Sequence, residues 1–403
     1  LSISGAKNAV LPILAASVIN GNKSIIKGYP HLRDVEIMLE ILTKLGCKIE
    51  KDENSIIVDS KDIFTSDVDE SLVREMRSSI FLMGPMLSRF GRIKISYPGG
   101  CEIGPRPIDI HLKGLRKMGV KIVEAHGFLI CEADQLFGAE INLDYPSVGA
   151  TENIMLAAVL AKGKTIIGNA AKEPEIEDLQ NYLNKMGAQI SGAGSSVIVI
   201  EGVKSLGEVE HTVIPDRIVA GTILMAGAVA KSEIIIDNVI PDHIVAIISR
   251  LGEAGCEIIN EKYNELRIIP PKMLRAVDSV RTLPYRGFAT DLQSQFVTLL
   301  SVCQGTSVVI ETVFENRFKH TEELARMGAD IKIEGTVAII KGVDFLTGAK
   351  VSASDLRGGA ALVLAGISAE GETIVDNIRH IERGYDNLHL MLNSIGANII
   401  RIE

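Results

Sequence analysis

The segment with the clearest chemical capacity is PGGCEIGPRPIDIH, residues 98–111. Its glycines and prolines predict a loop. Cys101 sits inside that loop, with Arg106 and His111 following. A nearby guanidinium lowers a thiol's pKa and raises its thiolate fraction, so Cys101 is a candidate reactive thiol. The competing reading is a loop cysteine that is merely exposed. The other cysteines lie in apolar contexts. Cys47 and Cys256 follow helix ends, Cys131 lies in FLICEA and Cys303 in TLLSVCQG. These read as inert buried thiols.

A second group of polar residues recurs at the start or approach of helices rich in small apolar residues. It comprises Lys7 and Asn8; Arg74 and Arg77; Ser147 and Thr151; Asp216 and Arg217; Thr290 and Asp291; and Asp355 and Arg357. A helix N-terminus offers unpaired N–H groups and the positive end of a dipole. Asp216 and Asp355 read equally well as simple N-caps. Lys7, Arg77, Arg217 and Arg357 do not, because a cation there opposes the dipole; they suggest an anionic ligand. A third group precedes a second helix: Asp34 in YPHLRDVE, Glu173 in AAKEPEI, Arg317 in ETVFENRFKH and Arg383 in HIERGY. Familiar phosphate loops do not account for these residues. No GxxxxGK[ST] occurs, and GAGSSV at Gly192 lacks the third glycine of a dinucleotide loop. No His/Cys pair has zinc-site spacing and no GxSxG elbow is present.

The elements that position these residues form a repeat. An amphipathic helix ending in Gly before a short strand recurs six times: LTKLGCKIE, LRKMGVKIV, LNKMGAQIS, LGEAGCEII, LARMGADIK and LNSIGANII. The glycines, Gly46, Gly119, Gly187, Gly255, Gly328 and Gly396, are 68 or 73 residues apart. Glycine just past a helix is the expected left-handed cap. Before each helix lies an alternating strand such as KSIIKG or KTIIGN, and before that a helix such as NAVLPILAAS or RGGAALVLAGISA. After the glycine come two strands, and a further strand leads into the next unit. The expected architecture is α/β, with six βαβαββ units, three per domain. The expected domains are residues 6–214, carrying Cys101, and residues 1–5 plus 215–403, with hinges near residues 5 and 215. The sixth unit lacks a hairpin partner for ANIIRIE, and the expectation is that residues preceding Leu1 supply it.

Composition bounds the partners. The chain has 403 residues, 42 Lys+Arg, 51 Asp+Glu and a net charge of −9. That balance argues against non-specific nucleic-acid binding. It leaves open an anionic small substrate, because net charge says little about one pocket. The longest apolar run, residues 154–161, is far short of the roughly 18 residues of a membrane span. Five cysteines, an odd number, do not make a disulfide framework, which favours a reducing, cytoplasmic setting.

The segments SGAKNAVLPILAA, PGGCEIGPRPIDIH, SVGAT, EPEI, IPDR, TDLQSQF, ETVFENRF, SDLRGGAALVLAG and HIERGY together resemble the enolpyruvyl transferases. The likeness is closest to the members that act on UDP-N-acetylglucosamine in bacterial peptidoglycan synthesis, and it spans residues 4–401. It implies a two-domain inside-out α/β barrel. It also implies transfer of an enolpyruvyl group from phosphoenolpyruvate to the 3′-hydroxyl of UDP-N-acetylglucosamine, by addition and then elimination of phosphate. No cofactor and no metal are implied.

The same resemblance assigns residues. Cys101 is implied as proton donor, covalent-adduct site and target of fosfomycin, and Asp291 as base. Lys7, Asn8, Arg106, Arg357 and Arg383 are implied to hold phosphoenolpyruvate, with Lys7 and Arg383 also catalytic. Nucleotide-sugar contacts carry over to Asn8, Arg77, Arg106, Pro107, Ile108, Asp109, Ile110, Ser147, Val148, Asp291, Val313 and Phe314. Asp34, His111, Glu173, Asp216, Arg217, Arg317, Asp355 and Leu356 are implied as supporting residues. Tyr145 and Pro146 depart from the basic residue some members carry in that stretch. Domain closure is implied to exclude water from the intermediate. One rival is the shikimate-pathway enolpyruvyl transferase, which lacks the cysteine loop. The other is a non-catalytic nucleotide-sugar-binding regulator, against which Lys7, Cys101, Asp291 and Arg383 all stand.

Overall fold

A computed structural model describes residues 1–98 and 108–402. The described residues divide into two compact units, one of residues 5–98 and 108–214 and the other of residues 1–4 and 215–402. Each has its own apolar core.

The repeat is visible strand by strand. In the third repeat the sheet runs Glu140–Asn142, Lys164–Gly168, Val197–Glu201, Gln189–Ser191. The first pair is parallel and the others are antiparallel. The fifth repeat has the same order: Ser279–Arg281, Thr306–Ile310, Val337–Lys341, Asp330–Glu334. A parallel pair needs a helical crossover, and the helix rich in small residues supplies it. The six glycines that end the second helices all have positive φ, between 91° and 116°. Without a Cβ they turn the chain from helix into strand at little steric cost.

The helices that the polar residues introduce are buried nearly all round. They are Lys7–Ala16, Met83–Phe90, Val148–Ala158, Arg217–Val229, Gln293–Leu300 and Leu356–Ser368. A helix apolar on every face can only be buried, and small residues let such helices approach closely. Gly84 shows the limit. A Cβ there would lie 2.4 Å from the Asn153 carbonyl oxygen and 2.8 Å from Leu156 Cβ.

Three expectations change. A further strand was expected to lead each unit into the next; Val209–Thr212 instead pairs in parallel with Lys23–Lys27 of the first repeat. In the fourth repeat Ser2 forms an isolated bridge to Asp237, and the Ile3 N–H donates to the Asp237 carbonyl at 3.0 Å. Each unit thus takes some of its pairing from a segment remote in sequence. Arg74 is not at the start of a buried helix. It belongs to the separate short helix Glu70–Glu75, exposed, with Nη2 2.6 Å from Glu70 Oε1. Residues 397–402 form no strand, although Asn393 brackets Ile399 through both its amide atoms, as Asn184 brackets Ile190 in the third repeat.

Cys47, Cys131, Cys256 and Cys303 are buried. Desolvation pushes their thiols up, to about 12 for Cys47, Cys131 and Cys303 and about 11 for Cys256. At pH 8 their thiolate fraction is then on the order of one in a thousand or less. Titration of the folded protein with a thiol-specific disulfide reagent at pH 8 is expected to modify at most one cysteine per chain, Cys101, and all five after unfolding. Rapid reaction of a second thiol in the folded protein would contradict this burial.

Candidate active site

In the unit containing residues 5–214, Lys7 opens its helix behind Ala6, with no side-chain cap and no acid in the first turn. Its charge is met instead by Asp34, in the first turn of Arg33–Leu45. Lys7 Nζ lies 2.8 Å from Asp34 Oδ2, and the two side chains are 9% and 2% exposed. Removing either partner would take from the other a buried counter-ion at 2.8 Å. Asn8 follows, half-buried.

Arg77 starts the 3₁₀ turn Arg77–Leu82, half-buried behind a Met76 that cannot cap it. His111, in the helix Asp109–Lys117, is buried. Asn153 sets its tautomer. The Asn153 Oδ1 accepts from the Gly84 N–H and its Nδ2 donates to the Ile80 carbonyl, each at 2.9 Å. The same Nδ2 donates to His111 Nδ1 at 2.9 Å, so the imidazole proton sits on Nε2. Burial, with a smaller contribution from Arg77, pushes His111 down to about 4, so it is neutral.

Asp109 is the exposed first residue of its helix; Ile108 before it is buried and Ile110 after it half-buried. Ser147 caps Val148–Ala158 by accepting from the Ala150 N–H at 3.3 Å. Glu173 occupies the N-cap of Pro174–Lys185 without a side-chain cap bond. Cys101, Arg106 and Pro107 lie outside the described residues.

The other unit gathers its polar groups around Asp291, which lies in the 3₁₀ turn Thr290–Leu292. Asp291 Oδ1 accepts from Arg317 Nη2 at 2.8 Å, and Oδ2 from Arg357 Nη2 at 3.2 Å. The carboxylate is 26% exposed and the guanidiniums only 2% and 3%. Burial works against the Arg357 charge, but Tyr385, Asp291 and Asp216 outweigh it and raise its pKa. Asp216 and Asp355 are N-caps. Asp216 accepts from the N–H groups of Ile218 and Val219, Asp355 from those of Arg357 and Gly358. Arg217 opens its helix with its guanidinium 5.6 Å from the Tyr285 ring. Leu356 opens the last of the buried helices, half-buried. Arg383 ends the turn Ile378–Arg383, also half-buried.

Cations at helix starts therefore do not by themselves imply an anionic ligand here. Lys7 and Arg357 each meet a carboxylate from another element of their own unit. Nε and Nη1 of Arg357 and Nε of Arg317 remain buried without a hydrogen-bond acceptor among the described residues.

Two acids escaped the sequence reading. Glu152, inside Val148–Ala158, is fully buried, and neither carboxyl oxygen has a hydrogen-bond partner. Burial, then the charges of Glu175 and Glu173, raise its pKa well above the usual carboxylate value. It sits between Thr151 and Asn153 in an otherwise apolar helix, where no periodicity singles it out. Glu311 is buried where its strand ends. Its Oε1 accepts from Thr282 Oγ1 and the N–H groups of Val313 and Phe314, and its Oε2 from Thr290 Oγ1. It thus ties the loop of Val313 and Phe314 to the residue before Asp291.

No cluster of three or more His, Cys, Asp or Glu suited to a metal ion occurs among the described residues. No described helix is long and apolar enough to cross a membrane. Replacing Glu311 by Ala strands four donors and is expected to lower the urea midpoint by the equivalent of about 3 kcal/mol. Glu311→Gln, which keeps acceptor oxygen, should lose less. Equal midpoints for wild type and Glu311→Ala would rule out this anchoring role.

A family model described as EPSP synthase (3-phosphoshikimate 1-carboxyvinyltransferase) matches residues 1–392. A protein of Caldanaerobacter subterraneus subsp. tengcongensis named UDP-N-acetylglucosamine 1-carboxyvinyltransferase 2 is 56% identical over 402 residues, covering 100% of this chain and 96% of that protein. The crystal structure of the enolpyruvyl transferase NikO from Streptomyces tendae superposes with a TM-score of 0.89 at 25% identity, covering 99% of this chain and 94% of the other. EPSP synthase from Acinetobacter baumannii shares the fold, with a TM-score of 0.78 at 16% identity over 100% of this chain and 97% of the other. The chain belongs to the EPSP synthase family of enolpyruvyl transferases, alongside the relatives named UDP-N-acetylglucosamine 1-carboxyvinyltransferase.

Proposed function

We propose that this protein transfers the enolpyruvyl group of phosphoenolpyruvate to the 3′-hydroxyl of UDP-N-acetylglucosamine, releasing phosphate, as a step of peptidoglycan synthesis. The observation that carries the reading is full-length identity of 56% to a protein of that name, against 16% to an EPSP synthase that shares only the fold. The reaction adds the sugar oxygen to C2 of the donor while C3 takes a proton, giving a tetrahedral phospho-ketal. Loss of phosphate from C2 and of a proton from the new methyl group restores the double bond.

In this reading Cys101 supplies the proton to C3 and Asp291 removes the hydroxyl proton. Lys7, Asn8, Arg106, Arg357 and Arg383 hold the donor's phosphate and carboxylate, which call for converging charged donors. The buried N–H groups of Arg357 that have no acceptor among the described residues support that role, since an incoming oxyanion would satisfy them. Arg77, Arg106 to Ile110, Ser147, Val148, Val313 and Phe314 hold the nucleotide sugar. Asp34 keeps the Lys7 ammonium in place, and Glu311 keeps Val313 and Phe314 in place. We assign the reaction to residues 6–214 and residues 1–5 plus 215–403 acting together, with hinges near residues 5 and 215. Cysteine usage supports a cytoplasmic setting.

Phosphate release with phosphoenolpyruvate should require UDP-N-acetylglucosamine, and shikimate 3-phosphate should not replace it. Turnover with the latter alone would transfer the protein to the rival reading. Cys101→Ala is expected to lose nearly all turnover and fosfomycin labelling with its circular dichroism unchanged. Asp291→Asn is expected to bind the nucleotide sugar yet turn over at least about 100-fold more slowly. A near-normal rate for that variant would remove Asp291 as the base.

A further inference from the structure

Three buried groups around Asp291 have no part in the reaction just described: Thr222, Gln295 and Tyr385. They form one hydrogen-bonded set whose proton directions can be worked out. Thr222 Oγ1 lies 2.8 Å from the Ile218 carbonyl, which can only accept, so the threonine gives its single proton there. Thr222 Oγ1 must then accept from Tyr385, whose hydroxyl oxygen is 3.0 Å away. Gln295 Nε2 donates to the Tyr385 hydroxyl oxygen at 2.8 Å, to Thr222 Oγ1 at 3.1 Å and to the Asp291 carbonyl at 3.1 Å. Its two protons serve three acceptors, so one is shared.

The Tyr385 ring meets the site. Arg357 Cζ lies 5.2 Å from the ring centroid, within cation–π range. Its guanidinium then reaches Asp291 Oδ2 at 3.2 Å. The path is closed: Asp291 carbonyl, Gln295, Tyr385, Arg357, Asp291 carboxylate. The ring face limits how far the guanidinium can move along its normal, but a face alone does not locate the ring. The hydroxyl does, by referring it to the main chain of the residue whose side chain the guanidinium meets. Tyr385 also anchors the turn that carries Arg383, its N–H donating to the Ile381 carbonyl at 3.0 Å.

We propose that Tyr385, located by Gln295 and Thr222, is the positioning residue for Arg357. This rests on the reading of that arginine as a ligand of phosphoenolpyruvate. Positioning errors near 1 Å cost reactions about 100-fold, so the effect is large enough to read.

The test uses the full chain and two variants, Tyr385→Phe and Gln295→Met. Both keep the side-chain bulk; the first removes the hydroxyl from the network and the second the amide that donates to it. Each is expected to raise KM for phosphoenolpyruvate or lower kcat by about 10- to 100-fold in combination. KM for UDP-N-acetylglucosamine should change less than that for phosphoenolpyruvate, since Asp291 alone of its proposed contacts belongs to this network. The double variant should lose no more than the worse single one, because the two act through one ring. Wild-type constants for Tyr385→Phe, additive losses, or a loss matched by the unfolded fraction in a thermal melt would each overturn the proposal. If the wild type turns over no enolpyruvyl acceptor, the functional reading fails independently. Crystal structures of the same variants then decide the positioning. An Arg357 Nη2 to Asp291 Oδ2 separation well beyond hydrogen-bond reach supports it, and one unchanged from wild type overturns it.

Discussion

A guanidinium almost wholly withdrawn from water needs an anion at hydrogen-bonding distance, because burying an uncompensated charge costs more than a small domain can spare. Arg317 and Arg357 are both in that position, and a single carboxylate, Asp291, meets them. Much of the local structure around Asp291 follows from this requirement. Arg357 begins a helix whose N-terminal N–H groups Asp355 satisfies, so the arginine side chain is left to find its own counter-ion. Thr290, beside Asp291, is tied to Glu311, and Gln295 one turn later holds the Asp291 carbonyl. Carboxylate, loop and helix start are parts of one polar cluster set into an apolar unit.

The other unit solves the same problem with different residues. Lys7 also opens a buried helix, and Asp34 reaches it from the helix that follows. Asn153 plays there the part that Gln295 plays beside Asp291. It is an amide inside a buried helix whose atoms tie down neighbouring backbone and orient one functional side chain, His111. In both units the buried amide's N–H groups are all used, and in Asn153 the amide oxygen accepts as well.

The repeat explains why such clusters recur. Each unit stacks helices of small residues against sheets of one strand order. In the third and fifth repeats a parallel strand precedes the buried helix, so the polar residues at the two helix starts fall at corresponding places. The glycine caps keep the connection short enough for the order to persist.

Much of this was legible in the sequence. Six glycines at intervals of 68 or 73 residues, alternating strands and helices rich in Ala and Gly determined the repeat, its helix ends and most of its strands, because these depend on local periodicity and backbone freedom. The residue types around Asp291 and Lys7 marked them for chemistry, and the quoted motifs marked the family. Other features were decided only in three dimensions. Strand 209–212 pairs with Lys23–Lys27, about 185 residues earlier, which no local pattern announces. The cations at helix starts looked uncompensated because Asp34 is 27 residues from Lys7, and Asp291 is 66 from Arg357. Glu152, Glu311, Gln295 and Tyr385 left no periodic trace, since a single buried polar residue does not disturb an apolar pattern. Their roles come from partners distant in the chain, and distance along the chain says nothing about which hydrogen bonds a packed interior will force.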